Sequence, residues 1–155
     1  MLIHLFVLVG LVIPITDTIW WRTAGGTVVE HRDGDYRDCS LVLADDLHSV
    51  TFDWLIGSVA VTATSRTWHL PEGKQPVAVQ IGDQWLDKAK SVVLEADGHD
   101  TTIRSMIDQP IEDLLRNASQ IRVKTAVGDL VLPVNPRKME ALLTAAGRCR
   151  SLTKR

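Results

Sequence analysis

The chain is poor in the residues from which catalytic and cofactor sites are usually built. It holds two cysteines, one tyrosine and two phenylalanines in 155 residues. Cys39 and Cys149 are far apart and form no C-x-x-C, so the paired-cysteine zinc and redox motifs are excluded. The five histidines, at 4, 31, 48, 69 and 99, never recur at metal-ligand spacing. No metal and no cofactor is therefore expected. Charges are mixed, with a formal net charge of -2. A nucleic-acid-binding protein would show a basic stripe to neutralise phosphates, and none is present. Repeats, low-complexity segments and Pro/Ser-rich linkers are also missing, which leaves a single domain.

Long apolar runs are missing too, apart from one at the start. Leu2 to Ile15 is almost unbroken apolar, and the chain turns polar at Thr16-Asp17-Thr18. That length suits the core of a secretory leader and is short for a bilayer span. Gly10 and Pro14 oppose a stable long helix. The leader is atypical, because no Lys or Arg precedes the run and the small-x-small cleavage site is poor. Thr16-Asp17-Thr18 is the nearest match, which puts cleavage at about residue 18. No cysteine follows the run, so lipoprotein processing is excluded. The alternatives are an uncleaved anchor, a misassigned start or a buried N-terminal strand. The expected organisation is a leader over 1–18 and one β-rich domain over 19–155, with no stable membrane span once the leader is removed.

In an exported chain, an even cysteine count favours a disulfide between Cys39 and Cys149. Closing so long a loop would restrict the unfolded chain by about 4–5 kcal/mol. Two buried free thiols are the alternative.

Strand signals dominate the rest. Val59 to Thr64 is β-branched, and Val77, Val79 and Ile81 alternate with smaller or polar neighbours. Ser91–Ala96 and Thr101–Ser105 flank Asp97-Gly98-His99-Asp100, so they are expected to pair as a hairpin. Ile121 to Thr125 alternates, and Gly128-Asp129 turns the chain into Leu130–Val134. Pro133 cannot donate a ladder hydrogen bond, so this second strand should lie at an edge or be bulged. Two short amphipathic helices follow from apolar spacing. Ile111, Leu114, Leu115 and Ala118 mark the first, with Pro110 in its first turn and Asp108 or Gln109 as cap. Met139, Leu142, Leu143 and Ala146 mark the second, with Asn135 as cap, Pro136 in the first position and Gly147 as stop. Cys149 continues that stripe, with Cys39 beside Ser40–Leu43 as its candidate partner. The expected fold is mainly β: an antiparallel β-sandwich-like domain with both helices in the C-terminal third. The basic residues Arg148, Arg150, Lys154 and Arg155 are expected to be solvated and to complement the end of the last helix.

Each motif that could carry chemistry falls short. His31-Arg32-Asp33 lacks the asparagine of a kinase catalytic loop, since Asp38 stands in its place. Asp33 to Asp38 resembles a calcium loop, but Asp38 occupies the glycine position and Ala44 the bidentate glutamate position. A polar hairpin tip before Cys39 is the better reading. Ser58 follows Gly57 without completing Gly-x-Ser-x-Gly. Asn117-Ala118-Ser119 is a sequon on a helix, meaningful only in a eukaryotic chain. Five tryptophans remain: Trp20, Trp21, Trp54, Trp68 and Trp85. Trp54 and Trp85 read as core or rim residues, and the Trp20-Trp21 pair as packing for the first strand. Trp68-His69-Leu70, before a Pro-Glu-Gly turn, is the candidate binding segment, because exposed aromatics give rigid contact area.

The apolar leader, the early tryptophans, Cys39, Ile81 to Leu86, Leu114-Leu115-Arg116 and the closing Met139 to Cys149 resemble, as an arrangement, small exported proteobacterial proteins of the invasion-associated locus B family. The likeness is strongest in the last third. It implies a periplasmic or surface β-sandwich with a terminal helix tied by a disulfide, and it carries over no catalytic residues. The functional expectation is a non-enzymatic exported binding protein whose partner is a protein or cell-envelope component. Two other classes remain as expectations. One is a small hydrolase whose site is assembled from Asp45, Asp46, His48, His69 and His99. The other is a structural or inhibitory envelope protein with a protruding loop at residues 65–76.

Overall fold

A computed structural model describes residues 16–33, 36–71, 73–74, 76–86, 90–96 and 101–153. The run Leu2–Ile15, the Asp97–Asp100 turn, Lys154 and Arg155 lie outside the described residues, as does most of the leader expected over 1–18.

Five strands open the fold as an antiparallel meander: β1 (Thr16–Thr23), β2 (Gly26–Asp33), β3 (Tyr36–Ala44), β4 (His48–Leu55) and β5 (Ser58–Ser65). A cut near residue 18 would therefore remove the start of β1, where Thr16 to Thr18 pair with Arg32 to Glu30. Further along come β6 (Gly73–Lys74), β7 (Ala78–Ile81), β8 (Gln84–Leu86), β9 (Lys90–Ala96) and β10 (Thr101–Ile107). The chain ends with α1 (Glu112–Asn117), β11 (Gln120–Lys124), β12 (Asp129–Pro133) and α2 (Pro136–Thr153). One sheet has the order β1-β2-β3-β4-β5-β10-β9-β6, and a smaller one has β12-β11-β7-β8. Both are antiparallel, so the β-rich, sandwich-like reading holds. The hairpin expected around residues 97–100 is present as the β9–β10 pair. Pro133 sits on β12, an edge strand, as its missing N–H requires.

Strand alternation decides which face of the large sheet is covered. Val28, Cys39, Leu41, Leu43, Val50, Phe52, Val61 and Ile103 point inward and are buried. Thr27, His31, Thr51 and Thr62 alternate with them on the opposite face and keep partial contact with water. The inward face is covered in two halves. Helix α2 lies over β1, β2 and β3, and the small sheet approaches through β12 against β4.

Helix α2 begins as its sequence predicts. Asn135 Oδ1 accepts the backbone N–H of Arg137 at 3.0 Å and of Lys138 at 3.4 Å. Its buried stripe is Met139, Leu142, Leu143, Ala146 and Cys149. Its end differs from expectation, because the helix runs through Gly147 to Thr153. Three contacts hold the extra turns. Cys149 is bonded to Cys39, with Cα atoms 6.1 Å apart. The Arg150 guanidinium stacks 4.4 Å above the Trp54 ring and donates to Glu112 Oε1 at 3.2 Å. Arg150 is thus a fixed contact of the fold, not part of a solvated tail. Helix α1 also departs from expectation. Neither Asp108 nor Gln109 caps it; the N-cap is Ile111, whose side chain is fully buried and whose N–H is taken by the Glu112 carboxylate. Ala118 is extended at the C-cap, still buried.

The disulfide joins residues 110 apart in sequence. Reduction should lower the free energy of unfolding by about 4–5 kcal/mol. Paired urea titrations of oxidised and reduced protein test this, and coincident midpoints would contradict it.

Candidate functional site

Trp68 and Leu70 belong to the core, 3% and 4% exposed, and only His69 between them faces solvent. Extended backbone sends alternate side chains to opposite sides, and here the apolar pair went inward. The segment therefore presents no exposed aromatic anchor. The exposed tryptophans are Trp21, on β1, and Trp85, on β8.

The acid and histidine residues are only partly brought together. Asp45, Asp46 and His48 border a shallow depression of about 150 Å³ at the β3–β4 turn. His48 Nδ1 stands 3.2 Å from Asp45 Oδ1. The same carboxylate oxygen accepts the N–H groups of Leu47 and His48, both at 2.8 Å, and so closes the turn. His69 does not line this depression, and His99 lies outside the described residues. No serine or threonine hydroxyl is bonded to His48 among the described residues. The cluster is a turn with a capping aspartate, and it lacks a nucleophile poised on the histidine.

A second chain of polar groups crosses the open face of the large sheet. Asp17 on β1 stands opposite His31 on β2, with Asp17 Oδ1 and His31 Nδ1 2.7 Å apart. His31 Nε2 lies 3.1 Å from Ser40 Oγ on β3, and Ser40 Oγ in turn donates to Asp53 on β4. The order Asp-His-Ser resembles a hydrolase triad, but the Ser40 hydroxyl donates to Asp53, so its hydrogen is not offered to His31. Ser40 is also 1% exposed in mid-strand, where a substrate cannot reach it. The arrangement stitches four strands together. Next to it, burial pushes the Asp38 carboxyl above the usual carboxylate range, and the nearby Asp53 charge adds to the effect.

On the covered face, Glu30 is buried among three partners. Arg32 Nε donates to it at 2.8 Å and Trp20 Nε1 at 2.7 Å, and Arg37 stands 3.8 Å away. The bond from Arg32, followed by that from Trp20, holds the Glu30 carboxyl below its ordinary value. These contacts tie β1 to β2.

A larger concavity lies where the two halves of the cover meet. It is a cavity of about 600 Å³, open to solvent, between the β1–β2 turn, the end of β12 and the first turns of α2. Leu43, Met139, Leu142 and Val134 supply apolar wall, and Arg137 and Lys138 supply charge. Ala24-Gly25 makes the turn, with Gly25 at φ +90°. Gly26 follows, and a Cβ there would lie 2.5 Å from Leu142 Cδ1 and 3.0 Å from Leu43 Cδ2. The missing side chain thus lets α2 settle onto β2. Sequence reasoning did not find this cavity; the Gly25-Gly26 pair and an α2 first turn without acids were the available signals.

Among the described residues, no group of three or more His, Cys, Asp or Glu could hold a metal ion. No helix of the described residues is long and apolar enough to cross a membrane. In comparisons with known proteins, the chain matches no family model, no curated protein and no solved structure.

The lowered Glu30 carboxyl carries a pH signature. Its stabilisation is present above the unfolded glutamate value and is lost as pH falls through the lower folded value. Glu30→Gln should flatten the acid limb of a stability-against-pH curve and lower stability at neutral pH. Unchanged acid unfolding in the variant would show that the Arg32 and Trp20 contacts are energetically idle.

Proposed function

We propose that this protein is a non-enzymatic binding module of an oxidising compartment, the periplasm or cell surface, whose partner is a protein or cell-envelope component. The observation that carries the compartment is the Cys39–Cys149 disulfide, buried in the core at both ends. Such bonds persist where thiols are not kept reduced. The apolar Leu2–Ile15 run supports export, and the resemblance to the invasion-associated locus B family points to the same compartment. Binding without catalysis is supported by chemistry. The two histidine–aspartate arrangements are committed to a turn and to a sheet, whereas the open cavity is lined by apolar and cationic groups.

The test is an intact mass of protein made in a bacterium with an oxidising periplasm, followed by a native mass of the same sample. The expected result is a chain shortened at its N-terminus by the apolar Leu2–Ile15 run. It gains two hydrogens on reduction, and its native mass retains bound material. A full-length chain with two free thiols would overturn the export reading.

A further inference from the structure

We infer that the cavity at the start of α2 is a binding site for a small amphiphilic anion, a carboxylate or phosphate monoester carrying an aliphatic tail. This rests on the binding-module reading above and names its ligand class. The volume, about 600 Å³, lies within the roughly 300–1,000 Å³ of small-molecule pockets. Its lining divides into two chemistries. Leu43, Val134, Met139 and Leu142 form an apolar wall continuous with the core. Arg137 and Lys138 stand at the same cavity, and among the described residues no Asp or Glu lines it.

The two cations are uncommitted. Neither side chain has an ion-pair or hydrogen-bond partner among the described residues, whereas Arg116 and Arg150 are both engaged with carboxylates. The helix end is not itself the binding group, because Asn135 already occupies the Arg137 and Lys138 backbone N–H groups. The side chains are what remains. Thr23, another lining residue, has a buried hydroxyl oxygen without a hydrogen-bond partner. An anion between Arg137 and Lys138 gains charge-assisted hydrogen bonds, and a tail along Met139 and Leu142 removes apolar wall from water. A neutral or cationic amphiphile gains only the second, and a tailless anion only the first.

Calorimetric titration of the oxidised protein tests each part. Octanoate and octyl phosphate, below their micelle concentrations, should each saturate one site. Their ratio shows which head group is preferred. Acetate and inorganic phosphate probe the need for a tail, and octylammonium probes the sign of the charge; none of the three should saturate. The double variant R137Q/K138Q should weaken octanoate and octyl phosphate about tenfold or more. Both residues are exposed, so the thermal midpoint should not move. Gly26→Ala, which displaces Leu142 and Leu43 at the wall, should weaken tailed ligands in a protein that still folds. Equal binding of octylammonium, unchanged affinity in R137Q/K138Q, or no saturable binding of either tailed anion would overturn the inference. Export together with a native mass carrying an uncharged ligand or a protein would overturn the ligand class and leave the binding-module reading standing. Failure of export would count against that reading, whatever the titrations show.

Discussion

The bond between Cys39 and Cys149 sets the position of the last helix, and the helix completes the domain. Cys39 is on β3 and Cys149 is on α2, so one covalent link fixes a C-terminal element onto the meander that opens the fold. Without α2, the inward faces of β1, β2 and β3 would lose their cover, and Val28, Leu41 and Leu43 would meet water. The bond also explains why the helix passes Gly147. A mid-helix glycine costs about 1 kcal/mol relative to alanine. The disulfide and the Arg150 contacts to Trp54 and Glu112 lie beyond that glycine and offset the cost.

The large sheet has two faces with different work. The covered face holds the core and, at its rim, Glu30 with its arginine and tryptophan partners. The open face carries Asp17, His31, Ser40 and Asp53 across four neighbouring strands. That row shows how a triad-like order of residues can arise from ladder geometry alone. Asp17 faces His31 and Ser40 faces Asp53 across neighbouring strands, and His31 reaches Ser40 on the diagonal. What separates such a row from a catalytic site is exposure and the direction of the serine's own hydrogen bond. By both criteria the open face is structural. The seam between α2 and the small sheet is different, because Arg137 and Lys138 have no partner among the described residues.

Local patterns in the sequence carried much of the fold. A β-branched run marked β5, alternation marked β7 and β11, the Gly128-Asp129 turn led into β12, and Asn135-Pro136 marked the start of α2 with its cap. The Cys149 position on the helix stripe pointed to Cys39. Features that depend on tertiary contact were not legible. Gly147 reads as a stop unless the Cys149 and Arg150 contacts are known. Ile111 became the α1 cap residue because the core takes its side chain, overriding the polar alternatives at 108 and 109. The Trp68-His69-Leu70 pattern does not reveal which side chains turn inward until the sheets are in place. The Asp17–His31 pair was closer to reach. Counting back from the Ala24-Gly25 turn sets the two strands opposite one another, apart from the irregularity between Ile19 and Trp21. The cavity needed the crossing of three distant segments, and no local pattern encodes it.

Amide hydrogen exchange along α2, compared between oxidised and reduced protein, tests most directly whether the disulfide is what holds the helix to the sheet. The account predicts that reduction strips protection first from Gly147 to Thr153, while β3, β4 and β5 keep theirs. Equal protection of α2 in both states would contradict it, and would leave the buried stripe alone as the anchor of the helix.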